Sequence, residues 1–115
     1  MKVFPDDLVL KVDDVRTLFP GVNVTVRRLS DKYRDLYGTR TCTLTDGTRS
    51  AVGRVQQTHE CRFHQLADHW LLKEHDACDR SKRGLFWSMR KFYPGFTAQD
   101  YVVVIWFTCE EVTGV

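Results

Sequence analysis

One run of apolar residues limits the possible folds more than any other part of the sequence: YVVVIWF, residues 101–107. The run is rich in β-branched and aromatic side chains, which favour strands. It does not alternate with polar residues, so a strand built from it has to be covered on both faces. The sequence therefore predicts a strand in the middle of a sheet or barrel.

Three more strands are predicted ahead of this run. Apolar and polar side chains alternate from Val22 to Leu29, with Asn23, Thr25 and Arg27 on the polar side. Residues 39–45 and 48–57 flank Asp46-Gly47, a dipeptide that strongly favours a tight hairpin turn. The sequence therefore predicts a central β-hairpin.

Three helices complete the predicted set of elements. Asp13 or Asp14 is placed to cap a short helix that Pro20-Gly21 ends. Two helices are predicted after the hairpin, from apolar residues at helical spacing: Phe63, Leu66, Ala67 and Trp70 for one, and Leu85, Phe86, Met89 and Phe92, behind Asp79 or Ser81 as caps, for the other. The order helix, three strands, two helices, strand predicts an α+β domain, a small curved β-barrel with helices over its openings.

The length and composition fit one domain. The chain has 115 residues, 43% of them hydrophobic, and contains no repeat or linker. We expect residues 1–115 to form a single domain, with residues 1–20 as an N-terminal extension and residues 21–109 as the barrel core. No apolar run is long enough for a membrane helix, so we expect a soluble, cytoplasmic protein with no membrane partner. The spread of the four cysteines favours reduced thiols.

Basic residues are unevenly distributed, although the net charge is only +2. Two clusters stand out: Arg27, Arg28, Lys32, Arg34 and Arg40 in the first, and Arg80, Lys82, Arg83, Arg90 and Lys91 in the second. In the first cluster Tyr33 and Tyr37 lie among the cations, a mixture that suits single-stranded nucleic acid. A solvated charged face remains the alternative, with the tyrosine rings packed over the end of the barrel.

The ordered set of elements resembles the ASCH family, whose domains have a PUA-like β-barrel fold. The residues that carry the resemblance are Val24-Thr25-Val26-Arg27 after a glycine turn, the hairpin, the helical segment near Leu66, and Phe92-Tyr93-Pro94-Gly95-Phe96 before the last strand. The resemblance runs from about Gly21 to Phe107 and is closest to small bacterial N-acetylcytidine amidohydrolases. It implies RNA or modified nucleosides as ligands.

The resemblance also implies a set of catalytic residues. In the amidohydrolases a strand threonine is the nucleophile, a lysine its base and a later glutamate the acid, which correspond here to Thr25 as nucleophile and Glu74 as acid. The lysine is replaced, by Asn23 or Val22 depending on the alignment. Loss of a general base typically lowers a rate by about 10²–10⁴. Four residues remain as substitutes for the base: Lys32, Lys73, His69 and His75.

These observations predict a domain that binds single-stranded RNA or a modified nucleoside in a basic cleft. Its nucleic-acid-binding residues are predicted to be Asn23, Arg27, Arg28, Lys32, Tyr33, Arg34 and Arg40, with Thr25 and Glu74 at the border of the cleft. DNA is a possible ligand as well. Two alternatives stay open: an amidohydrolase or ribonuclease-type enzyme, and a module that binds an acidic protein partner.

Neither a metal nor a cofactor is predicted. His59, Cys61, His75 and Cys78 are potential zinc ligands, but their spacing matches no common zinc site. Glycine motifs for nucleoside triphosphates and dinucleotides are missing from the sequence.

Overall fold

Five strands form one mixed sheet, and one α-helix packs on it. The strands are β1 (Leu8–Lys11), β2 (Val22–Arg28), β3 (Arg40–Thr45), β4 (Ser50–Arg62) and β5 (Tyr101–Thr113), and the helix is α1 (Lys82–Phe92). The computed structural model describes residues 8–12, 14–30, 40–74 and 77–113, of which 40 and 110–113 are described by their backbone alone. The order across the sheet is β1, β3, β4, β5, β2, and only the β1–β3 pair is parallel among these neighbours.

Strand β5 lies between β4 and β2 and is buried on both faces, which confirms the prediction from its apolar run. Val103, Ile105 and Phe107 belong to one hydrophobic core, together with side chains of β1, β3 and β4. Val102 and Val104 belong to a second core on the opposite face, together with side chains of α1. The sheet therefore separates two cores.

The sheet curls into a half-barrel. Its edge strands β1 and β2 are four strand spacings apart, roughly 19 Å in a flat sheet. Nevertheless Arg27 of β2 donates a hydrogen bond from Nη2 to the carbonyl oxygen of Lys11, at the end of β1. Since Arg27 lies on the face of the first core, opposite Val103, the sheet curls towards that face, which we call the concave face. The predicted barrel is thus only half closed.

The predicted hairpin is confirmed. Strands β3 and β4 are joined by a turn in which Gly47 has a φ of +93°. One carboxylate oxygen of Asp46 accepts hydrogen bonds from the backbone N–H groups of Thr48 and Arg49 at 2.8 and 2.7 Å. The other accepts from the N–H of Val15 at 3.0 Å, so the turn is tied to the segment after β1.

Helix α1 is also confirmed, with Ser81 as its N-cap. The Ser81 hydroxyl accepts a hydrogen bond from the N–H of Gly84 at 3.1 Å. Leu85 and Met89 are the buried residues of the helix, and they pack in the second core. Among the residues that the structure describes, no helix is long and apolar enough to cross a membrane.

The prediction of a helix over Phe63 to Trp70 is wrong. The segment instead forms two 3₁₀ turns, Phe63–Gln65 and Asp68–Lys73. Leu66 and Ala67 between them are extended, with ψ angles of 137° and 133°. Successive 3₁₀ turns bury Phe63, Leu66 and Leu71 with a spacing similar to that of a helix, and the sequence pattern does not distinguish the two.

The N-terminal segment differs from its prediction too. Asp14 is an N-cap as expected, but it caps a single 3₁₀ turn, Val15–Thr17, after which Leu18 is extended. Before this turn, β1 pairs with β3 and contributes Leu8 and Leu10 to the concave core. The predicted extension therefore supplies a strand of the sheet.

Candidate functional site

The polar side of β2 faces the concave core. In the antiparallel pairing of β2 with β5, Asn23 lies opposite Phe107 and Thr25 lies opposite Ile105. Residues directly opposite each other share a face of the sheet, and both β5 residues belong to the concave core. Asn23 and Thr25 are accordingly buried, at 0% exposure.

Asn23, at one of the two positions where the resemblance implies a lysine, holds the turn before β2. Its amide oxygen accepts a hydrogen bond from the N–H of Phe19 at 2.7 Å. Its amide nitrogen donates to the carbonyl oxygens of Phe19 at 2.9 Å and Gly21 at 3.3 Å. The side chain is therefore engaged with the backbone of residues 19–21, and it does not face solvent.

The Thr25 hydroxyl is buried on the same face of β2 as Asn23. Among the residues that the structure describes, Oγ1 has no hydrogen-bond partner. A nucleophile has to reach its substrate as well as a base. In this conformation the hydroxyl is closed off from solvent.

Glu74, the residue implied as the acid, lies beside β2. Its backbone forms a parallel bridge with Val24, one residue from both Asn23 and Thr25. Glu74 is only 1% exposed, and its carbonyl oxygen accepts a hydrogen bond from Nε of Arg80 at 2.8 Å. Since bridged residues share a face of the sheet, Glu74 lies beside β2 on the face of Val24, whereas Thr25 lies on the opposite, concave face.

The two arginines of β2 lie on opposite faces, as predicted. Arg27 is half-buried and bonds to the Lys11 carbonyl across the open side of the half-barrel. Arg28 is exposed, with its guanidinium carbon 5.6 Å from the centre of the Tyr93 ring, just beyond α1. Of the other predicted nucleic-acid-binding residues, Lys32, Tyr33 and Arg34 lie outside the described residues, and Arg40 begins β3 with its side chain not described.

A basic groove opens between the second 3₁₀ turn and the start of α1. Its volume is about 730 Å³. We call it the α1 groove, and it is lined by Asp68, His69, Leu72, Arg80, Ser81, Lys82 and Arg83. Three lining residues come from the second basic cluster of the sequence. The sequence pattern does not indicate that these residues face a groove. The other wall of the groove comes from the 3₁₀ turn Asp68–Lys73, which overlaps the segment that was predicted to be a regular helix.

The exposed surface of α1 is basic and aromatic. Trp87 is 61% exposed. Arg83 lies four residues before it, and Arg90 and Lys91 lie three and four residues after it, which places all three on the same side of the helix. The helix sequence, KRGLFWSMRKF, contains no acidic residue.

The described members of the potential zinc set, His59, Cys61 and Cys78, do not form a metal-binding cluster. The exposed His59 packs its ring against Trp70, with 5.2 Å between ring centres. Cys61 is buried, which raises the pKa of its thiol, and Cys78 is exposed. His75 lies outside the described residues. Within the described ranges there is no group of three or more residues that could hold a metal ion, and none of the four cysteines forms a disulfide bond.

Comparison of the chain with protein-family models, with curated proteins and with solved structures finds no match. The resemblance to the ASCH family therefore stays a prediction. Function has to be inferred from the geometry of the basic surface and of β2.

Proposed function

We propose that this protein is a small ASCH-like domain of PUA-like fold, located in the cytoplasm, that binds single-stranded RNA or a modified nucleoside on a basic surface. The surface consists of the α1 groove and the exposed side of α1. This places the ligand on the second basic cluster of the sequence. Val24 and Val26 of β2 pack in the second core, beneath α1.

One observation carries the proposal: Trp87 is exposed among three cations, Arg83, Arg90 and Lys91. An exposed tryptophan offers a flat face for an unpaired base, and base stacking on an aromatic side chain contributes about 1–3 kcal/mol. The surrounding cations are placed to neutralise phosphates. A single RNA strand requires an aromatic face for a base and cations for its phosphates, and both lie within about two turns of one helix.

The groove extends this surface. Arg83 belongs both to the side of α1 that carries Trp87 and to the lining of the α1 groove. An RNA strand with one base stacked on Trp87 therefore has cations on both sides of that base. The cations of the α1 groove lie on one side, and Arg90 and Lys91 lie on the other. A duplex, whose bases are already stacked on each other, cannot use the tryptophan in this way.

The first prediction concerns Trp87. We expect Trp87→Ala to weaken the binding of a single-stranded RNA oligonucleotide by about tenfold, because one stacked base is lost. Fluorescence anisotropy with labelled RNA at two salt concentrations measures this. The matched control is Phe92→Ala, because Phe92 is also exposed on α1, at 74%, but has Ser88 and Met89 one turn before it instead of cations.

Equal effects of the two substitutions would contradict the proposal, as would the absence of RNA binding by the wild-type protein at low salt. Single-stranded DNA in the same assay tests whether the 2′-hydroxyl contributes. Binding of an acidic protein without RNA binding would favour the interaction module.

An N-acetylcytidine amidohydrolase is the second candidate, and the bridge between Val24 and Glu74 favours it. The bridge brings Glu74 next to the strand that carries Thr25, but on the face of Val24, opposite Thr25. Since Thr25 is buried, this chemistry requires the protein to open around β2 before substrate reaches the hydroxyl. Incubation of the purified protein with N-acetylcytidine, with release of acetate as the readout, decides between turnover and binding alone.

A further inference from the structure

We propose that the α1 groove binds a phosphate group of the RNA strand, that Arg80 is its principal ligand, and that Phe19 positions Arg80. This inference rests on the proposed function, because it assigns a specific contact to the RNA surface. It involves a different residue from the stacking contact at Trp87, so the two can fail separately.

Arg80 is held in place by two contacts. Its Nε donates a hydrogen bond to the carbonyl oxygen of Glu74 at 2.8 Å. Its guanidinium carbon lies 5.0 Å from the centre of the Phe19 ring. Within the part of the chain that the structure describes, these contacts use one of the five guanidinium N–H donors and leave the fork of terminal nitrogens for a ligand. An arginine that is already fixed loses little side-chain freedom when it binds a phosphate.

Two of the three groove cations are held by hydrogen bonds to neutral oxygens. Lys82 donates from Nζ to the carbonyl oxygen of His64 at 3.0 Å, much as Arg80 donates to that of Glu74. A carbonyl group carries no net charge, so these bonds position the cations without cancelling their charge. The lining contains three cations, Arg80, Lys82 and Arg83, against the one carboxylate of Asp68, and an excess of positive charge in a concave surface attracts an anion.

Phe19 connects the groove with β2. Lys73 lies with its Nζ 4.7 Å from the centre of the same ring, so two cations contact Phe19. The backbone of Phe19 is clamped through both its N–H and its carbonyl oxygen by the amide of Asn23. The buried Asn23 thereby fixes the turn whose aromatic ring holds Arg80.

The test compares RNA binding by three variants across a range of salt concentrations. We expect Arg80→Gln to weaken binding by about tenfold, since a charge-assisted hydrogen bond is lost. The slope of log affinity against log salt should fall by about 0.7, the value for one phosphate contact of a single strand. Phe19→Leu, which keeps an apolar side chain but removes the ring, should shift affinity and slope in the same direction, and Phe19→Tyr should restore both.

Arg62→Gln is the matched control. Arg62 also donates to a backbone carbonyl, that of Gln99 at 2.8 Å, and also lies over a ring, that of Tyr101 at 4.6 Å, but it does not line the groove. A general loss of stability would affect both arginine variants, whereas a phosphate contact affects Arg80→Gln alone. Equal affinities and salt slopes for the two variants would overturn the inference.

Competition by small probes tests the phosphate directly. Cytidine 5′-monophosphate should displace RNA from the wild-type protein better than cytidine does, and this difference should disappear in Arg80→Gln. If the wild-type protein binds RNA, loses affinity on Trp87→Ala and is unaffected by Arg80→Gln, the proposed function stands and this inference falls. If the wild-type protein binds no RNA, both fall.

Discussion

The Thr25 hydroxyl is buried beside Ile105 without a hydrogen-bond partner among the described residues. A buried, unpaired hydroxyl costs roughly 1–3 kcal/mol. Thr25→Val keeps the shape of the side chain and removes the hydroxyl, so we expect the free energy of unfolding to rise by about 1 kcal/mol. Urea denaturation of the two proteins measures the difference.

Thr25→Ser is the control, because it keeps the hydroxyl and removes a packed methyl group. It should be less stable than the wild type by about 1 kcal/mol. A Thr25→Val protein that is less stable than the wild type would show that the hydroxyl forms a bond that contributes to stability.

The β3–β4 turn depends on the charge of Asp46. Hydrogen bonds from the backbone N–H groups of Arg49, Val15 and Thr48 lower the pKa of this carboxyl from 3.8 to about 2. An acid with a lowered pKa in the folded protein stabilises it above the unfolded pKa, and that stabilisation is lost as the pH falls through the folded pKa. We therefore expect the Asp46 contribution to be complete above about pH 5 and to be lost progressively between about pH 5 and pH 2.

Asp46→Asn isolates this contribution. The other carboxyl groups titrate in both proteins, so the difference between their free energies of unfolding reports on Asp46. That difference should shrink as the pH falls from about 5 to 2 in chemical denaturation experiments. A difference that stays constant over this range would show that the ionised carboxylate is not what the turn requires.

Elements with a strong local signal could be predicted from the sequence, and elements that depend on distant partners could not. The turn at Asp46-Gly47 is determined by local backbone geometry. The apolar run that begins at Tyr101 has to be buried in any fold. Strand β1 has four residues and depends on parallel pairing with β3, about thirty residues away in sequence. The α1 groove was missed for a related reason, since its two walls meet only in the folded chain.

In the candidate site, too, the features set by local pattern could be predicted and those set by distant contacts could not. The alternation along β2 predicted correctly that Arg27 and Arg28 lie on opposite faces. It gave no information on depth, because Asn23 and Thr25 look like surface residues until β5 and the concave core cover them. The position of Glu74 beside Val24 is likewise a tertiary contact that no local pattern encodes.

The curl of the whole sheet is held in part by Arg27. Its hydrogen bond to the Lys11 carbonyl joins the two edge strands across the open side of the half-barrel. We expect Arg27→Gln to lower the free energy of unfolding by about 1 kcal/mol and to speed amide hydrogen exchange in β1. Arg28→Gln, a change at the exposed neighbour, serves as the control, and equal exchange rates in β1 for both variants would contradict this role.

The central position of β5 has a consequence for how the chain folds during synthesis. Strand β2 has β5 as its neighbour in the sheet, and the register joins residues near 25 to residues near 105. A ribosome adds residues at about 5–20 per second, so β2 waits several seconds for its partner. Val24 and Val26 stay uncovered by β5 over that interval, and pairing across such a long loop is slow. Chaperones that hold nascent chains would therefore find their binding segment in β2.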